Sequence, residues 1–297
     1  MPRLYNLCRL LAFIGCVYPA LLWAHHPGHL RDVQYTDAEF AIQFSLEHAP
    51  YDLDIGKGSW SRATLETYYK PLSWLSLTSS IPLGRLAPAG TNSHLGLGDI
   101  EFAAMGTLIK NPDSGIYLAL GSGIELPTGD DHIGLGGGHI ALIPRATLSW
   151  MANQNFAVIG DLLYSHTLDG HGHGHAPTAL ALHSKQEVRS QLTLAFMQPS
   201  YFLSAGVSLT YGLVEPKGLG PVTALAEGGL RFLESWAIVG NIEVPITDAQ
   251  RFDRRAGIGV RWSLPVPEPE ECGCGARIDN DGCNCRGCTT GEGCTKP

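Results

Sequence analysis

Residues 255–264 read Arg-Ala-Gly-Ile-Gly-Val-Arg-Trp-Ser-Leu, and no other stretch constrains the fold so tightly. Ala256, Ile258, Val260, Trp262 and Leu264 alternate with Arg255, Gly257, Gly259, Arg261 and Ser263. Successive side chains of a β-strand point to opposite faces, so this segment offers one face to hydrocarbon and the other to water or to polar partners. Residues 115–126 repeat the pattern, with Ile116, Leu118, Leu120, Ile124 and Leu126 against Tyr117, Ala119, Gly121, Gly123 and Glu125. Weaker versions divide residues 39–264 into about twelve segments of roughly 9–13 residues, the length of a tilted outer-membrane strand. The chain is 44% hydrophobic and only 16% charged, yet no internal stretch reaches the ~18 apolar residues of a spanning helix. Apolar content without helical spans predicts an all-β fold, an antiparallel transmembrane β-barrel of about twelve strands.

The connections give an independent argument. Residues 71–73, 111–114, 151–155, 198–200 and 234–235 read as tight turns. Between them, residues 50–58, 84–95, 129–138, 168–184, 214–220 and 247–252 read as longer loops. Bacterial barrels combine short periplasmic turns with long external loops. An even strand number places both chain ends on the periplasmic side of the cell outer membrane, with outer-membrane lipid around the wall. A net charge of −8 argues against a nucleic-acid partner.

Leu97-Gly98-Asp99-Ile100-Glu101, followed by Ile124-Glu125-Leu126-Pro127-Thr128-Gly129-Asp130 and a Gly-rich loop, resembles the outer-membrane transporter family called "MetA-pathway of phenol degradation". The likeness covers most of residues 39–264. It implies passage of small compounds across the outer membrane and brings no catalytic residues.

Strand-by-strand parity turns a charged set inward. Its acids include Glu101, Glu125, Asp161, Glu227 and Glu243, together with Glu47, Glu66 and Glu187. Its bases include Arg145, Arg231, Arg255 and Arg261, together with Arg62 and Arg189. An inward carboxylate within a bilayer needs water or a partner. The set therefore reads either as an Arg–Glu network bracing a narrow barrel or as a polar, selective pathway; the two are compatible. No enzyme is expected. Residues 134–138 lack the strand-then-helix setting of a phosphate loop, no G-x-S-x-G turn occurs, and His139 reads as a wall residue with no serine beside it on the lipid face.

The two ends of the chain are different material. Residues 1–24 fit a secretory signal peptide, with Arg3 and Arg9 before the apolar run 10–23. A rival reading makes Cys16 a lipidation site. Residues 25–38 then begin with His25, His26 and His29. Residues 265–271 form a Pro-rich spacer, and residues 272–297 carry Cys272, Cys274, Cys283, Cys285, Cys288 and Cys294, without apolar periodicity. Such a tail takes its order from metal or from disulfides. Its C-x-C pairs suit Cu(I) or Zn²⁺, whereas an oxidising compartment and an even count suit a three-disulfide knot. His171, His173 and His175, spaced by glycine in the longest loop, are a second candidate metal site, and the N-terminal histidines a third. The sequence thus supports an outer-membrane channel for small solutes with transition-metal handling. Its alternatives are a pore for small organic compounds with a disulfide-bonded tail, and a nonconducting barrel anchoring a metal-buffering tail or binding a periplasmic protein.

Overall fold

The computed structural model describes residues 40–53, 56–111, 113–168, 186–214, 218–247, 252–264, 278–279 and 282–283. The chain divides into two compact units, Met1–Leu264 and Pro265–Pro297. The first is all-β. Its strands are β1 (Phe40–Leu53), β2 (Gly56–Leu72), β3 (Leu75–Pro88), β4 (His94–Leu97), β5 (Ile100–Asn111), β6 (Ile116–Leu126), β7 (Ile140–Met151), β8 (Phe156–Leu168), β9 (Gln186–Met197), β10 (Tyr201–Gly212), β11 (Gly218–Leu233), β12 (Trp236–Pro245) and β13 (Arg255–Ser263). Neighbours pair antiparallel, and β1 pairs with β13, so the sheet closes on itself. Closure removes the edges that would otherwise leave backbone groups unpaired in lipid. In the second unit, Ile278–Asp279 pairs antiparallel with Gly282–Cys283.

Twelve long strands form the wall. The short β4 is the upper part of the β5 path. Leu83 pairs with Leu97 and Ser80 with Glu101, so three residues of the β4–β5 path oppose two of β3. The extra residue is a β-bulge at residues 98–100, where Pro82 has no N–H to give and its carbonyl accepts the Gly98 N–H at 2.9 Å.

Alternation is realised as expected. Along β13, Arg255, Gly259 and Arg261 are buried while Ala256, Ile258 and Val260 are exposed on the outer face. Leu46, Leu65, Leu148, Leu162, Leu192 and Leu194 extend that apolar outer surface. Trp74, Trp150, Phe156, Phe232 and Trp236 are exposed around the short-turn end, forming the aromatic girdle of a membrane barrel. Leu264 N–H donates to Phe40 O at 2.9 Å, so the described ends of the barrel meet at that same end.

Three of the expected long loops are shorter than the sequence suggests. Leu53 pairs with Gly56, so most of residues 50–58 is strand. Likewise β3 runs to Pro88, β4 resumes at His94, and β11 begins at Gly218. Pro and Gly in these stretches read as loop. At a barrel rim, however, a missing donor or side chain is tolerated, because the ladder there needs no apolar partner.

Candidate functional site

The lumen is the candidate site, and strand register assembles it. Glu47 lies directly opposite Arg62, Gln43 opposite Arg261, Glu243 opposite Arg255 and Thr147 opposite Asp161. Each pairing becomes a contact. Arg62 Nη2 meets Glu47 Oε2 at 2.5 Å, and Arg255 forms an ion pair with Glu243. Arg261 Nε and Nη2 donate to Gln43 Oε1 at 3.2 and 3.1 Å, and Thr147 Oγ1 donates to Asp161 Oδ1 at 2.8 Å. Arg145 reaches across β6 to pair with Glu101 on β5. Gly123 allows this, because a Cβ there would stand 3.2 Å from Glu101 Oε1 and 3.4 Å from Arg145 Nη2. Glu125 directly opposes Glu101, a like-charge pair that sheets normally avoid.

These groups surround a cavity of about 340 Å³ in the middle and the long-loop half of the barrel. Its lining holds seven carboxylates, Glu47, Glu66, Asp99, Glu101, Glu125, Glu187 and Glu243, against four guanidinium groups, Arg62, Arg145, Arg189 and Arg255. That imbalance makes the cavity acidic. It can hold or pass a small polar solute, with a preference for positive charge.

At the floor of the cavity, which Val239 also lines, the character changes. Ala157, Ile159 and Ala195 pack with Met151 and Met197, and Phe202 packs with Val239 against the same Met197. The Phe202 ring fills the space where Gly229 would carry a side chain, with Cε1 only 2.3 Å from that position. The short-turn half mixes these apolar clusters with buried polar side chains, among them Ser76, Ser149, Thr193 and Ser204, and with the buried charges of Asp161, Glu227 and Arg261.

Glu101, Glu125, Arg145, Glu243 and Arg255 line the cavity. Arg231 does not. It is exposed at the short-turn end, where its N–H bonds Ser200 O and a bulge separates it from Leu233. His139 also departs from its assignment, lining the cavity and not the lipid face.

Among the metal candidates, His25, His26, His29, His171, His173, His175, Cys272, Cys274, Cys285, Cys288 and Cys294 lie outside the described residues, as do Cys16 and the leader. Cys283 falls in the two-residue strand Gly282–Cys283. Among the described residues no three His, Cys, Asp or Glu side chains converge as a metal site.

One part of the lumen escaped sequence reasoning, the segment between β6 and β7. Thr128 Oγ1 donates to Gly98 O at 2.9 Å and accepts the Ile100 N–H at 2.9 Å, bridging the β4–β5 bulge. Asp99 accepts the Gly129 N–H at 2.9 Å through Oδ1 and the Gly137 N–H at 2.5 Å through Oδ2. Leu135 is 7% exposed and clusters with Trp60, Leu86 and Phe252 under the long-loop rim. Arg62 and Arg255 stack over the Trp60 and Phe252 rings, at 5.4 and 5.1 Å. The signal was present in the sequence. The G-D and P-T-G-D elements, some thirty residues apart, are two sides of one hydrogen-bonded junction.

Known proteins place this geometry. The structure resembles the COG4313 outer membrane channel from Pseudomonas putida F1, with a TM-score of 0.63 at 14% identity over 81% of this chain and 100% of that one. It also resembles the NanC porin, with a TM-score of 0.50 at 8% identity over 76% of this chain and 100% of that one. Both likenesses concern the fold. A comparison with curated proteins finds no match. The family model described as "MetA-pathway of phenol degradation" matches residues 34–214, which contain both motifs of the junction and most of the cavity wall. With more than half its length matched, the chain belongs to that family of outer-membrane β-barrels.

Proposed function

We propose that this protein is an outer-membrane channel for small solutes that favours cations, with its long loops outside the cell and its chain ends in the periplasm. The observation that carries this reading is the acidic cavity enclosed by the closed barrel. A barrel that served only as an anchor gains nothing from holding seven carboxylates against four guanidinium groups, since buried ion pairs add little net stability over apolar packing. Reconstitution into planar bilayers tests it. Discrete conductance steps are expected, and a purified, folded barrel that never conducts would leave the nonconducting-anchor reading in place. A tag within residues 170–174 should be reachable on intact cells and one after Pro297 should not; the opposite pattern would reverse the orientation.

Transition-metal handling by the tail is a separate proposal, supported by the C-x-C spacing of Cys272/Cys274 and Cys283/Cys285 and by the His-Gly alternation of residues 171–175. Thiolates bind soft metal only when reduced and deprotonated. Mass spectrometry of protein isolated without reductant separates the outcomes. Metallated or free thiols support metal handling, and three disulfides without metal return the tail to a structural knot.

A further inference from the structure

The segment between β6 and β7 is built into the lumen, and its construction is specific. Asp99 uses both carboxylate oxygens to hold two backbone N–H groups eight residues apart, on Gly129 and Gly137. Between these anchors the chain doubles back so closely that a Cβ on Gly136 would lie 2.7 Å from Gly129 Cα and 2.6 Å from Asp99 Oδ1. The doubled chain carries Leu135 inward. Its seat is a pair of glycines directly opposed across β3 and β4, Gly84 and Gly96. Cβ atoms there would stand 2.9 Å from Leu135 Cδ2 and 3.0 Å from Cδ1. Two glycines facing each other weaken a ladder, so their presence here fits a need for space.

We infer that Leu135 sets the bore of the channel on the long-loop side and that Asp99 is the positioning residue that holds it there. This rests on the channel reading above. Leu135 lines the long-loop part of the acidic cavity, and an apolar lining is where passing ions lose water contacts. A charge-assisted carboxylate clamp is a strong way to hold backbone amides at such a point. The bulge at residues 98–100 is what aims Asp99 at the segment, and Thr128 ties that bulge to the segment's root. The bore-setting element is therefore fixed to the wall at both ends, with Leu135 as its tip.

The experiment is single-channel conductance of the native chain, Leu135→Ala and Asp99→Ala, each first shown to be folded by heat-modifiable migration. Leu135→Ala should raise conductance roughly twofold or more, because the narrowest cross-section limits a pore. Asp99→Ala should raise it too and add fluctuation between open levels, since the clamp is lost but Leu135 remains. If Asp99→Ala does not fold, Leu135→Ala still decides. Folded variants that conduct like the native chain overturn it and leave the channel reading intact, whereas silence from all folded forms brings down both.

Discussion

The two halves of the lumen are made from the same strands and differ in what fills them. Toward the long loops, β1, β2, β12 and β13 contribute Glu47, Arg62, Glu243 and Arg255, and β5–β7 contribute Glu101, Glu125 and Arg145, around a cavity. Toward the short turns, alternate positions of the same wall carry Ile159, Ala195, Phe202 and Val239, packed against Met197. Parity alone cannot distinguish the halves, since both sets face inward. What separates them is register. In the upper half acids meet bases across the strands, so charge is satisfied there without filling the space. In the lower half apolar side chains meet glycines and fill it. The barrel thus has a polar chamber above a packed base.

The largest test of that division removes one member of an ion pair. Arg255→Ala leaves Glu243 unpaired in the wall and should cost about 3–5 kcal/mol of stability, read as a lower unfolding midpoint in denaturant or heat. Replacing both residues with Met should be close to neutral. A fully tolerated Arg255→Ala would mean that the upper half is solvated well enough to need no pairing. Next, Leu192→Arg on the outer face should cost about 2–4 kcal/mol if the residue sits near the bilayer midplane. Ile159→Ala, in the base, should cost a comparable ~2–5 kcal/mol through the cavity it leaves, but without changing ion preference. A shift in selectivity from Ile159→Ala would blur the two halves. The smallest effect belongs to Thr147→Val, which removes the hydrogen bond to Asp161 and should cost about 1.5–3 kcal/mol.

How legible this was in the sequence follows the same division. Residues 255–264 displayed their faces outright, and the inward set of Arg255, Arg261, Glu243 and Arg145 could be read from parity. Partners could not, because pairing depends on register, and register depends on bulges such as that at residues 98–100. Strand ends were misread where Pro50, Pro88 and Gly218 lie within strands near the rim. Arg231 satisfied parity but emerges at the rim, beyond the cavity. Asp99 and Leu135 were missed because their roles arise from a backbone junction between two motifs, which neither periodicity nor composition encodes. The apolar clusters of the base were missed for a different reason. Isolated Ile, Phe or Val at inward positions look like breaks in the alternation until neighbouring strands bring them together.

The central claim is that the acidic chamber is the solute path. The most direct measurement is the reversal potential of the reconstituted native barrel under a KCl gradient, compared with Glu101→Gln/Glu125→Gln. The account predicts a cation-selective native channel whose preference weakens in the double variant, since two of seven lining carboxylates are lost. An anion-selective native channel, or a preference unchanged by removing both carboxylates, would contradict it.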